Sequence, residues 1–189
     1  DMINDIWGFR FEDFSEDAEN KLVTPGKQRM AEIAAKLNIP VVLMHNDNCG
    51  RSYKERNIEA LGDIALEENV VDRVILGLKK SVEIAISEGV SPENIILDPG
   101  VGFAETQKEN LLVMKNLRRI VSAFEYPMLL ATSRKSMIGN VLNLPPEERE
   151  EGTLVTTVMA VECGCRMVRV HDVEKNVRAI KMAQSINRI

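Results

Sequence analysis

The sequence predicts an α/β fold of about five successive βα units, arranged as part of a closed parallel barrel rather than an open doubly wound sheet. Three observations carry this. Short, nearly all-apolar runs recur at Met2 to Ile6, Val41 to Met44, Ile95 to Leu97, Met128 to Ala131 and Met167 to Val170, as expected of strands covered on both faces. Patterns of helical period fill the intervals between them. The unusual polar residues follow the runs, whereas the links leading into them are terse: N-I-P, S-P-E-N and E-Y-P. In a barrel the loops after the strands converge on one face; in an open sheet they meet only at a crevice where strand order reverses. The barrel brings all five polar tips together.

Taken in order, the first run opens the chain at Asp1, with no initiator Met and no preceding turn. A strand so close to the first residue leads us to expect upstream sequence. Pro25, at a first-turn position, starts a helix running to about Leu37. After the second run, Asn69 is the expected cap of a helix whose apolar positions Val70, Val74, Leu78, Val82 and Ile86 keep one face. Helices are expected over Lys108 to Ser122, from Ser136, over Gly152 to Cys163 and over Val173 to Ile189. Pro145 and Pro146 followed by E-E-R-E-E read as a turn and an acidic helix start, placed at the positive end of the helix dipole. No low-complexity linker divides the chain, which reads as one domain over residues 1–189.

Composition narrows the function. The 189 residues are 44% hydrophobic and 28% charged, enough for a sizeable core. With 24 basic and 29 acidic residues and a net charge of −5, no basic block stands out, so nucleic acid is not the expected partner. No apolar run is long enough to cross a bilayer. The cysteines Cys49, Cys163 and Cys165 form neither a C-x-x-C pair nor an even set, which argues against a disulfide framework or a zinc site and fits a reducing cytoplasm. Cys163 and Cys165 are expected to be small buried thiols. A small polar ligand is the expectation.

The polar tips are Asn4 and Asp5 in I-N-D-I, His45 and Asn46 in L-M-H-N, Asp98 in I-I-L-D-P-G-V-G-F, Ser133 to Ser136 in T-S-R-K-S, and Arg169, His171 and Asp172 in V-R-V-H-D. An ionised carboxylate accepts two hydrogen bonds side by side, so Asp98 with the Asn4 amide can read the donor edge of an aminopyrimidinone-like ring. Lys135 supplies a point charge. Arg169 offers a flat guanidinium that stacks on a ring while its edge reaches an oxyanion, and His171, two residues on, shares its side of an extended strand. Ser136 begins a helix, whose amino terminus suits a carboxylate or phosphate. Each residue also has a plainer reading. Asp98, before Pro99 and Gly100, can cap the turn; His45 reads as a packed, hydrogen-bonded core residue; Arg134 can be an ion-pair partner; Asp5 and Asp172 can orient the loop and the adjacent His rather than touch a ligand. No Ser/His/Asp relay or histidine metal cluster is required.

In this order and spacing, I-N-D-I, L-M-H-N, I-I-L-D-P-G-V-G-F, T-S-R-K-S-M-I-G and V-R-V-H-D-V resemble the dihydropteroate synthase family, from its fourth barrel strand to its eighth helix. The resemblance implies a TIM (β/α)8 barrel of the pterin-binding type with its N-terminal units absent from this sequence. It implies a magnesium-dependent cytoplasmic transferase of folate biosynthesis, commonly dimeric through its last helices and the target of sulfonamides. That enzyme joins p-aminobenzoate to 6-hydroxymethyl-7,8-dihydropterin pyrophosphate and releases pyrophosphate. By motif, Asn4, Asp98, Lys135 and Arg169 resemble pterin ligands, Arg169 and His171 the pyrophosphate pair, and Phe103 and Ser136 members of the p-aminobenzoate site. Lys135, Arg169 and His171 are thereby the implied catalytic residues. The asparagine associated with magnesium, two aspartates and two mobile loops belong to strands that have no counterpart here, so no metal ligand is expected within this chain. Ala131 departs from the family pattern, where many relatives carry Gly before T-S-R-K-S.

Two rivals share part of this pattern. A pterin-binding methyltetrahydrofolate methyltransferase would use the Asn4 and Asp98 logic but has no need of the Lys135, Ser136, Arg169 and His171 anion set. A noncatalytic pterin-binding or scaffold module would need none of the chemistry. Because a barrel missing one wall leaves unpaired strand edges and lacks part of the site, the isolated 189-residue chain is expected to have no synthase activity. Steady turnover of both substrates by this polypeptide alone would overturn that expectation.

Overall fold

The computed structural model describes residues 1–10, 29–46, 63–103 and 106–188. All five expected strands are present, each within or next to its apolar run: β1 (Ile3–Asp5), β2 (Val41–Met44), β3 (Ile95–Asp98), β4 (Leu129–Leu130) and β5 (Met167–Val168). All pairings are parallel. β1 pairs with β2 and β2 with β3, a bridge between Leu97 and Met128 carries the order across to β4, and β4 pairs with β5. The described strands therefore lie side by side in chain order, and among the described residues that order shows no reversal of the doubly wound kind.

Register explains the two faces of this array. Side chains alternate, so partners at one level share a face. Val41, Leu43, Ile95, Leu97, Met128 and Leu130 point to the helices and join the main core with Val70, Val74, Leu78, Leu117 and Ile120. Val42, Ile96, Leu129 and Ala131, with Met167 against them, form a smaller cluster on the opposite face. The expectation of strands covered on both faces holds for β2, β3 and β4, which are buried throughout, but not for β1 and β5, the two ends of the array, which are partly exposed.

The helices are α1 (Arg29–Leu37), α2 (Asp63–Ser87), α3 (Gln107–Lys115), α4 (Leu117–Ser122), α5 (Ser136–Leu142), α6 (Glu150–Cys163) and α7 (Val173–Ile186), with 3-10 turns at Pro92–Asn94 and Pro146–Glu148. The start expected at Pro25, Cys49 with most of its loop, and Ile189 lie outside the described residues. Asn69 does not cap α2. It sits inside the helix, where its Oδ1 accepts a hydrogen bond of 2.6 Å from Arg73 one turn on. The expected apolar stripe also drifts: Val70, Val74 and Leu78 are buried, but Ile86 is exposed while Ala85 and Ser81 are buried. A strict four-residue step overshoots the 3.6-residue turn by about 40° each time, so a stripe kept up over four steps leaves the core; alternating in a three-residue step corrects it.

The helix expected over Lys108 to Ser122 is broken at Asn116. Its side chain donates 2.9 Å to the Leu112 carbonyl, and its backbone leaves helical geometry at φ −103° and ψ 15°, a local competition typical of asparagine. Thr106 and Glu109 cap the start of α3 reciprocally, Thr106 Oγ1 accepting from the Glu109 amide and Glu109 from the Thr106 amide, the T-x-x-E pattern of a capping box. Glu109 is enclosed and also pairs with Arg73 of α2 at 2.8 Å. Burial alone would raise its pKa; the Thr106 and Arg73 hydrogen bonds more than offset this and hold it below the usual carboxylate range. The cysteines depart from expectation: Cys163 and Cys165 are half-buried at the core edge rather than enclosed. Burial still pushes both thiols upward, Cys165 to about 12, so neither is poised as a thiolate.

Candidate functional site

The same register sorts the polar tips. Asn4 lies level with Val42, and Asp98 level with Met44, on the face opposite the helices; Ala131 and Arg169 follow Leu130 and Val168 by one residue and so take that face too. Asp5 takes the other face and shapes its loop, accepting hydrogen bonds from the Trp7 and Phe9 amides at 3.0 and 2.8 Å. The plainer reading of His45 also stands: it is fully buried against Gly77 of α2, and its amide donates 2.8 Å to the Asp98 carbonyl.

For Asp98 both readings meet in one side chain. Oδ1 accepts 2.8 Å from the Gly100 amide, closing the turn, while Oδ2 makes no hydrogen bond among the described residues. Gly100 has φ +77°, and a β-carbon there would lie 2.0 Å from the His45 carbonyl oxygen, so only glycine lets the chain turn this tightly. Asp98 is 2% exposed. Burial raises its pKa above the ordinary carboxylate value, although the Gly100 hydrogen bond and the charges of Lys135, Arg169 and His45 oppose the shift.

Lys135 crosses the loop that follows Asp98. Its ammonium donates to the Val101 carbonyl and lies 4.4 Å from the centroid of the Phe103 ring. A β-carbon on Gly102 would sit 2.6 Å from Lys135 Cδ, so the bare glycine makes room for the aliphatic stem. Arg134, just before it, adopts a left-handed backbone at φ 58°. Its amide donates to Thr153 Oγ1 at 3.2 Å, its carbonyl accepts 2.9 Å from Arg149, and its Nε stands 3.9 Å from Glu150 Oε2. This is the ion-pair role that the sequence left open for it. Glu150 in turn accepts 2.7 Å from Asn176 of α7, whose Oδ1 accepts 2.6 Å from Thr157.

After β5, Arg169 and His171 are exposed, and Asp172 caps α7 through the Lys175 amide at 3.1 Å. Lys135, Arg169 and His171 line one cleft of about 400 Å³ with Ala131, Ser133 and Val170. The structure thus gathers these three side chains at one mouth, with Asp98 within reach of the Lys135 and Arg169 charges. Phe103 stands against Lys135, and Ser136, the first residue of α5, is exposed beside it. Asn4 is not drawn in as closely. It is two strands from Asp98 and two residues lower in register, about 12 Å away, and it is exposed. Sequence reasoning gave no role to Ser133, whose hydroxyl lies 2.8 Å from His171 Nδ1, because that contact spans 38 residues. Among the described residues no three His, Cys, Asp or Glu side chains gather as a metal centre, and the cleft is lined by cationic donors. The described residues do not by themselves fit magnesium.

A family profile described as "Pterin binding enzyme" matches residues 1–171. Dihydropteroate synthase of Clostridium beijerinckii is 46% identical over 189 residues, covering 99% of this chain and 58% of the relative. That of Bacillus subtilis is 43% identical over 185 residues, covering 98% and 54%. The chain therefore spans a little over half the length of these relatives. Among solved structures, dihydropteroate synthase of Clostridium difficile in the presence of pteroic acid superposes with a TM-score of 0.77 at 36% identity, over 100% of this chain and 60% of that one. The Coxiella burnetii enzyme in complex with pteroic acid gives 0.78 at 31% identity, over 98% and 60%.

The raised pKa of Asp98 has a testable consequence for stability. Its ionised form is disfavoured by folding, so the penalty is absent at pH below the unfolded carboxylate value and grows as pH rises through the folded one. Asp98→Asn keeps an acceptor for the Gly100 amide and removes the charge. Thermal melts are expected to show the variant at least as stable as the parent at pH 7, with the difference vanishing as the pH falls below about 4, the unfolded carboxylate value.

Proposed function

Because this chain belongs to the pterin binding enzyme family, we propose that it is the substrate-binding part of a dihydropteroate synthase. The reaction is the condensation of 6-hydroxymethyl-7,8-dihydropterin pyrophosphate with p-aminobenzoate to 7,8-dihydropteroate and pyrophosphate. The observation that carries this reading is the meeting of Lys135, Arg169 and His171 in one cleft, within electrostatic reach of the buried Asp98.

The chemistry asks for such a set. Breaking the bond from the methylene carbon to pyrophosphate builds negative charge on the leaving oxygen and positive character on carbon conjugated to the pterin. Arg169 and His171 hold the anion, and a stabilised anion leaves more readily. Asp98, its Oδ1 committed to the turn, offers Oδ2 to the donor edge of the pterin, with Asn4 contacting the ring from β1. Lys135 addresses a ring carbonyl or nitrogen, and Arg169 also stacks on the ring. The neutral aromatic amine is already a nucleophile, so placing p-aminobenzoate between Phe103 and Ser136 supplies much of the rate. Magnesium, which the family implies, would draw its ligands from outside the described residues, and no step above runs through it. The site-bearing strands form one arc of a (β/α)8 barrel, and residues 1–189 belong to that single domain. The reading places the enzyme in the cytoplasm, and no helix among the described residues is long and apolar enough to cross a membrane.

Calorimetry on the full-length protein is expected to detect binding of the pterin pyrophosphate, and p-aminobenzoate binding that depends on it. Lys135→Ala should lower kcat/KM by roughly 10- to 150-fold, the loss of a charge-assisted hydrogen bond worth about 1.5–3 kcal/mol. Binding of neither substrate would refute the proposal.

The partner we propose is a second copy. An apolar groove of about 490 Å³ runs between α3, α5 and α6, with Val141 and Val155 on its rim 59% and 60% exposed. A solvent-facing groove of this kind marks an interaction surface. Val155→Glu is expected to shift a sedimentation profile from dimer to monomer without loss of helical signal; an unchanged profile would place the contact elsewhere.

A further inference from the structure

We propose that Ser133 is a positioning residue that makes His171 a permanent hydrogen-bond donor to the anion in the cleft. The inference deepens the reading of the site given above and rests on it for the identity of the anion, but not for the state of the imidazole.

A serine hydroxyl has one proton and two lone pairs. Ser133 Oγ accepts the backbone N–H of His171 at 3.2 Å and lies 2.8 Å from Nδ1 of the same residue. One lone pair is therefore taken by the amide, and the hydroxyl proton remains for Nδ1. In the neutral imidazole Nδ1 accepts that proton and the ring proton sits on Nε2; the other tautomer would donate from Nδ1 to the second lone pair and leave the proton of a buried hydroxyl with no acceptor among the described residues. In the imidazolium form Nδ1 carries a proton and donates it to the second lone pair of the same oxygen, and Nε2 keeps its own. In both forms Nε2 is a donor. Without the hydroxyl, a neutral His171 is free to carry its proton on Nδ1 and turn a lone pair towards an oxyanion, which repels it.

The surroundings hold this arrangement. Ser133 is 8% exposed. It follows Thr132, whose hydroxyl is bonded to Thr156 at 2.9 Å, and precedes Arg134, whose amide is fixed to Thr153. The nearest carboxylate in sequence, Asp172, is committed elsewhere: Oδ1 accepts the Lys175 amide at 3.1 Å and Oδ2 pairs with the Lys175 ammonium at 3.0 Å. The other charged groups lining the cleft, Lys135 and Arg169, are cations and cannot accept a proton bond from Nδ1. Ser133 is thus the acceptor and donor available to that nitrogen among the described residues. The double contact also ties the loop after β4 to the residue that follows β5, so the anion-binding pair is set relative to Lys135 by a neutral group.

The test is 15N NMR of the full-length protein with labelled histidine, at a pH where the ring is neutral and with His171→Gln assigning the signals. The expected wild-type state is a single neutral form, with Nε2 protonated and Nδ1 unprotonated and hydrogen-bonded. Ser133→Ala should move the Nδ1 signal to that of a free ring nitrogen and weaken binding of inorganic pyrophosphate by about five- to tenfold, the loss of one neutral hydrogen bond. Ser133→Thr, which keeps the hydroxyl, should restore both. A wild-type ring protonated on Nδ1, or an Nδ1 signal unchanged in Ser133→Ala, would overturn the proposal, and the first of these needs no variant to fold. If the wild-type tautomer is as expected but pyrophosphate leaves the His171 signals unmoved, the Ser133 assignment stands and the reading of the anion site falls.

Discussion

The hydrogen bond from the Gly100 amide to Asp98 is the contact on which the rest of the site depends. Three separate parts of the molecule converge on Asp98. Its carbonyl oxygen accepts the His45 amide and so joins the ends of β3 and β2. Its carboxylate turns the chain back over the sheet, which requires Gly100 because the His45 carbonyl occupies the space of a side chain. The turn then delivers Val101 and Gly102 beneath the Lys135 side chain. A carboxylate kept from water is costly unless its lone pairs are used. Here the turn uses one oxygen, and the cations across the cleft offset part of the burial. The residual disfavour towards charge is what an incoming hydrogen-bond donor relieves.

Much of this was legible in the sequence where the physics is local. Short apolar runs of Val, Ile and Leu announce buried parallel strands whatever surrounds them, whereas the common face of Asn4, Asp98 and Arg169 emerges only with the register between strands. T-x-x-E before α3 is a local capping signal that the expectation of a helix from Lys108 passes over. What escaped is what depends on distant chain. Asn69 has the side chain of a cap and sits in mid-helix because the turns before it also fold helically. Glu150 reads as one more charge in an acidic helix start, yet it is buried because Asn176, 26 residues on, and Arg134 meet it. Ser133 reads as part of a polar loop, and its use is visible only once β4 and β5 are adjacent. The left-handed backbone of Arg134 has no local signal at all, since arginine has no preference for it.

The cationic mouth sits on a chain of net charge −5. Overall electrostatics therefore does not draw an anion here; the local arrangement does, through Lys135, Arg169 and His171 gathered in one cleft. Like charges gathered at one mouth repel, and the loop that carries Lys135 has to be held against that repulsion. The holding is done largely by neutral groups: Thr132 to Thr156, Ser133 to His171, Arg134 N–H to Thr153, and Thr157 to Asn176. Neutral hydrogen bonds place the cations without neutralising them. A carboxylate in any of those places would have shortened the list of charges left for a ligand.

The inner face of the sheet gives the final element, a gradient along the strands. Its apolar side chains are Val42 and Ile96, with Asn4 level with them at the end of the array, and Leu129 and Met167, with which the Leu97–Met128 bridge sets Asp98 level. One level above Leu129 and Met167 are Ala131 and Arg169, and beyond them His171. The floor is apolar and the rim is charged. A ligand that lies across this face must be flat and hydrogen-bonding at its deep end, where Asp98 is out of water, and anionic at its shallow end, where Arg169 and His171 meet solvent. A compact anion alone would leave Asp98 facing like charge, and an apolar ring alone would leave the cations unused. On the proposed reading, a heterocycle with a diphosphate tail meets Asp98 with its ring and Arg169 and His171 with its tail.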